Sequence, residues 1–314
     1  MPRKQPVRGS SSFNDDPGNA TRDDDQNSDS ETDNQAEPSM TSLYNDAVNL
    51  PAHQTKHLAE LMYRFPSIDT SFRLVQRNDT NSTGSSLWLS SQVLSSYLIH
   101  TYAKTSRKGP PDASRKWMLE LGSGTGLLSL LMARLGWEVV ATDIPPVLDT
   151  VLKPNIDAGL YQPINIGAAK ADQAHVNELD WTIPPQNWRW HPHLGYPTTA
   201  QLPASLPAAA IPRPQSFDLI VTADTIYEPS LVHPLLLTIA HLYQRQGQPR
   251  PTVLLALERR DPSHITEALR TAHEQYSLPF KQIPSKRIRK IFDSLGDGAT
   301  WSRDDWDGVE IWKL

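Results

Sequence analysis

The stretch FDLIVTADTIYEP, residues 217–229, loses its apolar character at Asp224 and then places a phenol, Tyr227, three positions on. A carboxylate at the end of a strand can accept a hydrogen bond from an incoming nucleophile and aim it. A phenol beside it can wall a channel, and its ring face tolerates a cation. The plainer alternative is that Asp224 caps the following turn and Tyr227 packs, because Asp-Thr ahead of a helix is an ordinary start signal. A second group lies in LELGSGTG, residues 119–126. Gly122, Gly124 and Gly126 allow a sharp turn and the close approach of a ligand to the backbone. A dinucleotide fingerprint would space its glycines as G-x-G-x-x-G. Here Leu127 takes the sixth position and the pattern is G-x-G-x-G. Glu120 is of little use to a pyrophosphate and suits a cofactor that carries an ammonium group. Asp143 follows Gly126 by 17 residues, at the end of the next expected strand. An acid there can accept hydrogen bonds from both hydroxyls of a ribose.

These residues need elements that deliver them. WMLEL from Trp117, EVVAT from Glu138, AHVNELDW from Ala174, FDLIVTA from Phe217, TVLLALE from Thr252, FKQIP from Phe280 and GVEIWKL from Gly308 read as strands. Helices are expected at LLSLLMARLG, closed by Gly136, then from Pro145 and Pro146 through Ile156, at SLVHPLLLTIAHLYQRQ and at SHITEALRTAHEQY. Such alternation predicts an α/β fold with a doubly wound, mostly parallel, seven-strand sheet. In sheets of that kind ligands bind beyond the carboxyl ends of the strands, where both groups of residues fall. Ahead of the sheet, Leu58, Leu61, Met62 and Phe65 predict a helix over 54–65, SFRLVQRND a strand, and LWLSSQVLSSYLIHTYA a helix. Residues 1–40 are rich in Ser, Asp and Asn and nearly free of large apolar groups, so a disordered acidic tail is expected, followed by a single domain over 41–314. Residues 183–216 hold eight prolines without periodicity and predict a surface insertion, disordered rather than lid-like.

Of the 30 basic and 35 acidic residues, four and nine lie within residues 1–40, which leaves 26 of each in the remainder. A neutral body argues against a general nucleic-acid surface, and direct nucleic-acid binding is not expected. There is no cysteine, which removes disulfides and thiolate metal sites and suits a reducing compartment. The ten histidines are scattered without ligand spacing, so no metal is assigned. No apolar run of membrane-spanning length occurs, and membrane association is not expected. The cluster KRIRK, residues 286–290, reads as the solvated face of a helix, and Trp301, Trp306 and Trp312 as packing residues.

Three further pieces narrow the reading: TGSSLW from Thr83, LDW from Leu179, and ADTIY from Ala223. Together with the E-x-G-x-G-x-G turn and Asp143, they resemble the D-x-x-Y group of seven-strand S-adenosylmethionine-dependent protein lysine methyltransferases, over about residues 70–314. The resemblance implies S-adenosylmethionine as cofactor, with Trp88, Gly122, Ser123, Gly124, Asp143, Trp181 and Ala223 lining its pocket beside Glu120 and Gly126. It implies methyl transfer to a lysine of a protein substrate such as a translation factor, ribosomal protein or chaperone, with Asp224 and Tyr227 at the acceptor end. A monomer in the cytoplasm, with the nucleus as a second compartment, goes with it. Leu89 and Ser90 follow Trp88 where the family often has Asp or Pro. The D-P-P-Y form of nucleic-acid enzymes is missing. A methyltransferase for a small amine of nicotinamide type would use the same fold, as would a non-catalytic module that keeps the cofactor site.

Overall fold

The computed structural model describes residues 49–77, 83–106, 115–160, 173–191, 195–201, 216–245, 249–296 and 301–314. The expected tail at 1–40 lies outside them. After a short helix α1 (Ala52–Thr55), strands β1 (Glu60–Phe65) and β2 (Thr70–Val75) form an antiparallel hairpin that pairs Glu60 with Val75 and Phe65 with Thr70. The second half of the helix expected over 54–65 is therefore a strand. Leu61, Tyr63 and Phe65 alternate inward, and pairing with β2 satisfies a backbone whose apolar spacing fits either element. Tyr63, Phe65 and Phe72 pack edge to face within the hairpin.

Helix α2 (Leu89–Ser106) leads to β3 (Trp117–Leu121), α3 (Leu127–Arg134) and β4 (Glu138–Asp143). Next come α4 (Pro145–Val147), a π turn (Leu148–Leu152), α5 (Lys153–Leu160) and β5 (Ala174–Glu178). A small hairpin of β6 (Arg189–Trp190) and β7 (Pro197–Thr198) precedes β8 (Leu219–Ala223), α6 (Pro229–Tyr243), β9 (Thr252–Glu258) and α7 (Pro262–Tyr276). Strand β10 (Lys281–Gln282), helix α8 (Ser285–Leu295) and β11 (Val309–Lys313) complete the chain. Among the described residues no helix is long and apolar enough to cross a membrane.

The seven-stranded sheet has the order β10-β11-β9-β8-β3-β4-β5. Strands β9, β8, β3, β4 and β5 are parallel, and β11 runs antiparallel to both β9 and β10. From β3 the chain moves outward to β4 and β5, then crosses back to β8 and β9. The order thus reverses between β3 and β8, and a crevice opens there. Both faces of the sheet are covered, which is why the central strands are buried on both sides and mostly apolar. On one face Met118, Leu219 and Val221 pack with α2, α3, α5 and α8; on the other Leu119, Leu121 and Ile220 pack with α6 and α7. Helix α8 buries Ile288, Ile291 and Phe292 and turns Lys286, Arg287 and Lys290 to solvent, while Trp301 and Trp306 pack on Phe292.

The proline-rich segment differs from expectation over its first half. Trp188 and Tyr196 are buried in the core face shared with α6 and α7. Thr198 Oγ1 and Thr199 N donate to Glu178 O, and Asn177 Nδ2 donates to Pro197 O, so the β6–β7 hairpin docks on the end of β5. Two large aromatics supply the apolar area that a proline count does not reveal. Residues 202–215 lie outside the described set.

Candidate active site

The turn after β3 is built on left-handed backbone. Gly122 has φ +68°, and a Cβ there would lie 2.9 Å from Thr225 Cγ2 and 3.1 Å from the Trp181 ring. Gly124 has φ +53°, and a Cβ would lie 3.0 Å from Gly84 O. The glycines therefore bring three distant segments against one loop. Ser123 ties that loop to β4: its N–H donates to Thr142 O at 2.9 Å, and its Oγ accepts from Thr142 N at 3.0 Å.

A cavity of about 320 Å³ lies at the switch point, above the loop. Of the residues expected at the site, Trp88, Glu120, Gly122, Ser123, Gly124, Asp143, Trp181, Ala223, Asp224 and Tyr227 all line it. Gly126 does not. It sits at the start of α3 with φ +79°, against Leu152 and Ile156, so its task is to turn the chain into the helix and let α5 approach. Thr83, Gly84, Thr125, Ile144, Thr225 and Arg260 also face the cavity and were not singled out from sequence. Thr83 and Gly84 belong to the quoted TGSSLW, and Ile144 and Thr225 adjoin expected residues. Arg260 had no local signal; it arrives because β9 pairs with β8.

Asp143 Oδ2 accepts from Gly124 N and Oδ1 from Ile144 N, both at 2.9 Å. Each oxygen keeps a free lone-pair direction for a hydroxyl donor. Burial pushes this carboxyl up to about 6, against the two backbone donors that favour its ionised form. Glu120 is buried on the α3 side, where Ser129 Oγ donates to its carboxylate. Burial pushes it up to about 8, so a cation arriving in the cavity would favour release of its proton.

Asp224 has φ +54°, and only 7% of its side chain is exposed. Its Oδ1 accepts from Glu258 N at 3.0 Å and its Oδ2 from Ser90 N at 3.3 Å. The carboxylate thus joins the ends of β8 and β9 to the start of α2. Capping of the following helix falls instead to Glu228, whose Oε1 accepts from Ser230 N at 3.2 Å. Burial raises the Asp224 pKa, opposed by the Ser90 and Glu258 donors and by Arg260 Nη2 at 3.8 Å. Tyr227 stands at the rim, 48% exposed. The Trp88 indole donates to Thr83 O at 2.8 Å and carries two cations on its ring: Lys56 Nζ at 3.3 Å and the Arg260 guanidinium at 4.5 Å from the centroid.

The cavity fits an adenosyl cofactor. The glycine turn leaves backbone open where any Cβ would collide, Asp143 presents acceptors that suit a ribose, and the Trp181 Nε1 is buried without a partner among the described residues.

A parallel sheet with this loop and acid at its switch point defines a nucleotide-cofactor-binding α/β protein. The family model described as lysine methyltransferase matches residues 69–192 of the chain. Among curated proteins it is 28% identical over 159 residues to the mouse protein-lysine methyltransferase METTL21E, covering 51% of each chain. It is 32% identical over 134 residues to the zebrafish (Danio rerio) protein N-lysine methyltransferase METTL21A, covering 43% of this chain and 47% of that one. The chain spans about half the length of these relatives. A solved SAM-dependent methyltransferase from Agrobacterium tumefaciens overlays with a TM-score of 0.39 at 15% identity, covering 68% of this chain and 58% of that one.

Proposed function

We propose that the protein is an S-adenosylmethionine-dependent methyltransferase that modifies a lysine side chain of a protein substrate. The observation that carries this reading is one cavity with two chemically different ends. The glycine loop, Asp143 and Glu120 form a nucleoside and ammonium end; Asp224, Trp88 and Tyr227 form an acceptor end. When bound, S-adenosylmethionine supplies an electrophilic methyl group. The chain's own residues position and desolvate. Asp143 receives the ribose hydroxyls. Glu120 loses its proton to complement an ammonium. Gly122 and Gly124 allow the backbone to approach. At the other end an amine must shed a proton and present its lone pair along a defined line. Asp224 keeps lone pairs beyond those used by Ser90 and Glu258, and one of them can accept an amine N–H and orient it. Trp88 and Tyr227 wall the channel, and their ring faces favour an arriving cation before it loses its proton.

The relatives' names support a protein acceptor. Translation factors, ribosomal proteins and chaperones are the substrates to try first. The test is incubation with methyl-labelled S-adenosylmethionine and a cell extract, followed by mass spectrometry of lysine in the labelled polypeptides. Label confined to dialysable material would replace the protein substrate with a small amine. Cofactor binding with no transfer to any extract would leave a binding module.

A further inference from the structure

Arg260 lies two residues beyond β9 and lines the acceptor end of the cavity. Its Nε donates to Glu258 Oε2 at 2.9 Å, and its Nη2 reaches the same oxygen. The guanidinium also stacks on Trp88 at 4.5 Å and stands 3.8 Å from Asp224 Oδ2. The neighbouring Arg259 points elsewhere, onto Glu310, Thr266 and Pro262 O. One arginine therefore touches the carboxylate and the aromatic proposed to receive the acceptor, and is fixed by a third residue.

We propose that Arg260 is a positioning residue of the acceptor end: its guanidinium keeps Asp224 ionised while biasing an entering amine toward the neutral, nucleophilic form. The inference rests on the methyltransferase reading. An ionised carboxylate alone would hold an amine as ammonium, which has no lone pair to offer. A fixed cation beside that carboxylate offsets this, so that the amine releases its proton to the solvent at the rim and the acceptor oxygen retains its direction without holding it.

Lys56 is an internal gauge of this environment. Its Nζ lies 3.3 Å from the centroid of the same Trp88 ring. Its pKa is lowered, first by burial and next by Arg260, while Glu258 and Asp224 oppose the change. Among the described residues, the charged groups around the guanidinium are Glu258 from the end of β9, Asp224 from the end of β8, and Lys56 from the segment after α1.

The experiment uses the full chain with Arg260→Gln, Arg260→Met and Arg260→Lys. The Arg260 side chain is 45% exposed, and thermal melting checks that each variant is folded. First, trace acetylation with acetic anhydride across pH, read at Lys56 by mass spectrometry, reports an amine without any turnover. Loss of the charge in the Gln and Met variants should raise the midpoint for Lys56 by about half a pH unit, the scale for a partly solvated charge. Arg260→Lys should stay near the parent. Unmoved midpoints in Gln and Met would overturn the proposal. Second, the acidic limb of kcat/KM for lysine methylation should move upward by the same amount, about threefold lower activity on that limb. It should recover at alkaline pH, whereas a merely structural lesion would lower the whole profile. Superimposable profiles, or a uniform loss, would also overturn it. A parent enzyme that labels no lysine sinks the methyltransferase reading instead, and the Lys56 titration then still decides what Arg260 does to an amine.

Discussion

Asp143 and Asp224 close strands two positions apart in the sheet, and their hydrogen bonds separate their tasks. Asp143→Ala removes the acceptor proposed for a ribose, with charge-assisted bonds of roughly 1.5–3 kcal/mol each. S-adenosylmethionine affinity should fall at least about tenfold by calorimetry while the fold persists. Asp224 carries a structural duty as well, because Ser90 N and Glu258 N both depend on it. Asp224→Ala leaves two donors unsatisfied at about 1–3 kcal/mol each, so melting temperature and turnover should drop together, turnover by on the order of a hundredfold. Asp224→Asn keeps one acceptor oxygen and should retain more of both; equal loss in the two variants would mean that charge alone matters. The pH dependence follows from the two raised acids. Asp143, pushed to about 6, and Glu120, to about 8, bind protons more tightly folded than unfolded, so their contribution to stability declines as pH rises from about 4 toward 8. A cofactor that needs both carboxylates ionised binds better over the same rise. Its thermal upshift should therefore be larger at pH 8 than at pH 6, as differential scanning fluorimetry would register.

Between elements, three buried amides make long-range connections. Asn155, on α5, accepts from Val75 N at 2.7 Å and donates to Val75 O and Thr125 O at 3.0 Å each. It thereby fastens the end of β2 and the glycine turn to one helix. Gln76 donates to Thr55 O and Leu58 O and accepts from Leu87 N, and Gln92 receives Ala52 N and donates to Leu50 O. These two fix the segments before and after the β1–β2 hairpin to α2, which starts at the acceptor end of the cavity. Asn155→Ala should destabilise by about 2–4 kcal/mol, since two carbonyls and one N–H lose their partner. Cofactor affinity should weaken with it, because Thr125 faces the cavity. Urea unfolding and calorimetry on the same variant would detect both effects, and loss of stability with intact affinity would show that the turn holds its shape unaided.

At the scale of the whole chain, the sequence and the fold assign different weights to the irregular segments. Residues 1–40 offer almost nothing to bury, so their removal should leave the melting temperature within about 2 °C of the parent. Shortening all of 183–216 to a linker should now cost stability, because Trp188 and Tyr196 leave the core; trimming only 202–215 should not. Parallel melting curves of the two deletions would separate them. What the sequence by itself determined was local in origin: the period of apolar residues that marks β3, β4, β8 and β9 and their helices, the glycine turn whose φ values only glycine adopts freely, and Asp143 at a strand end. Periodicity and turn chemistry are written within a few neighbouring residues, so they survive reading without a structure. The tertiary structure decided whatever depended on partners far along the chain. It turned 60–65 from an expected helix into a strand, because β2 was there to pair with it. It gave the first half of the proline-rich segment a place in the core. It gave Asp224 two donors, 134 and 34 residues away, and set Arg260 beside it. Hydrogen bonds and charges act across space, and only the register of β8 on β9 brings those groups within reach of one another.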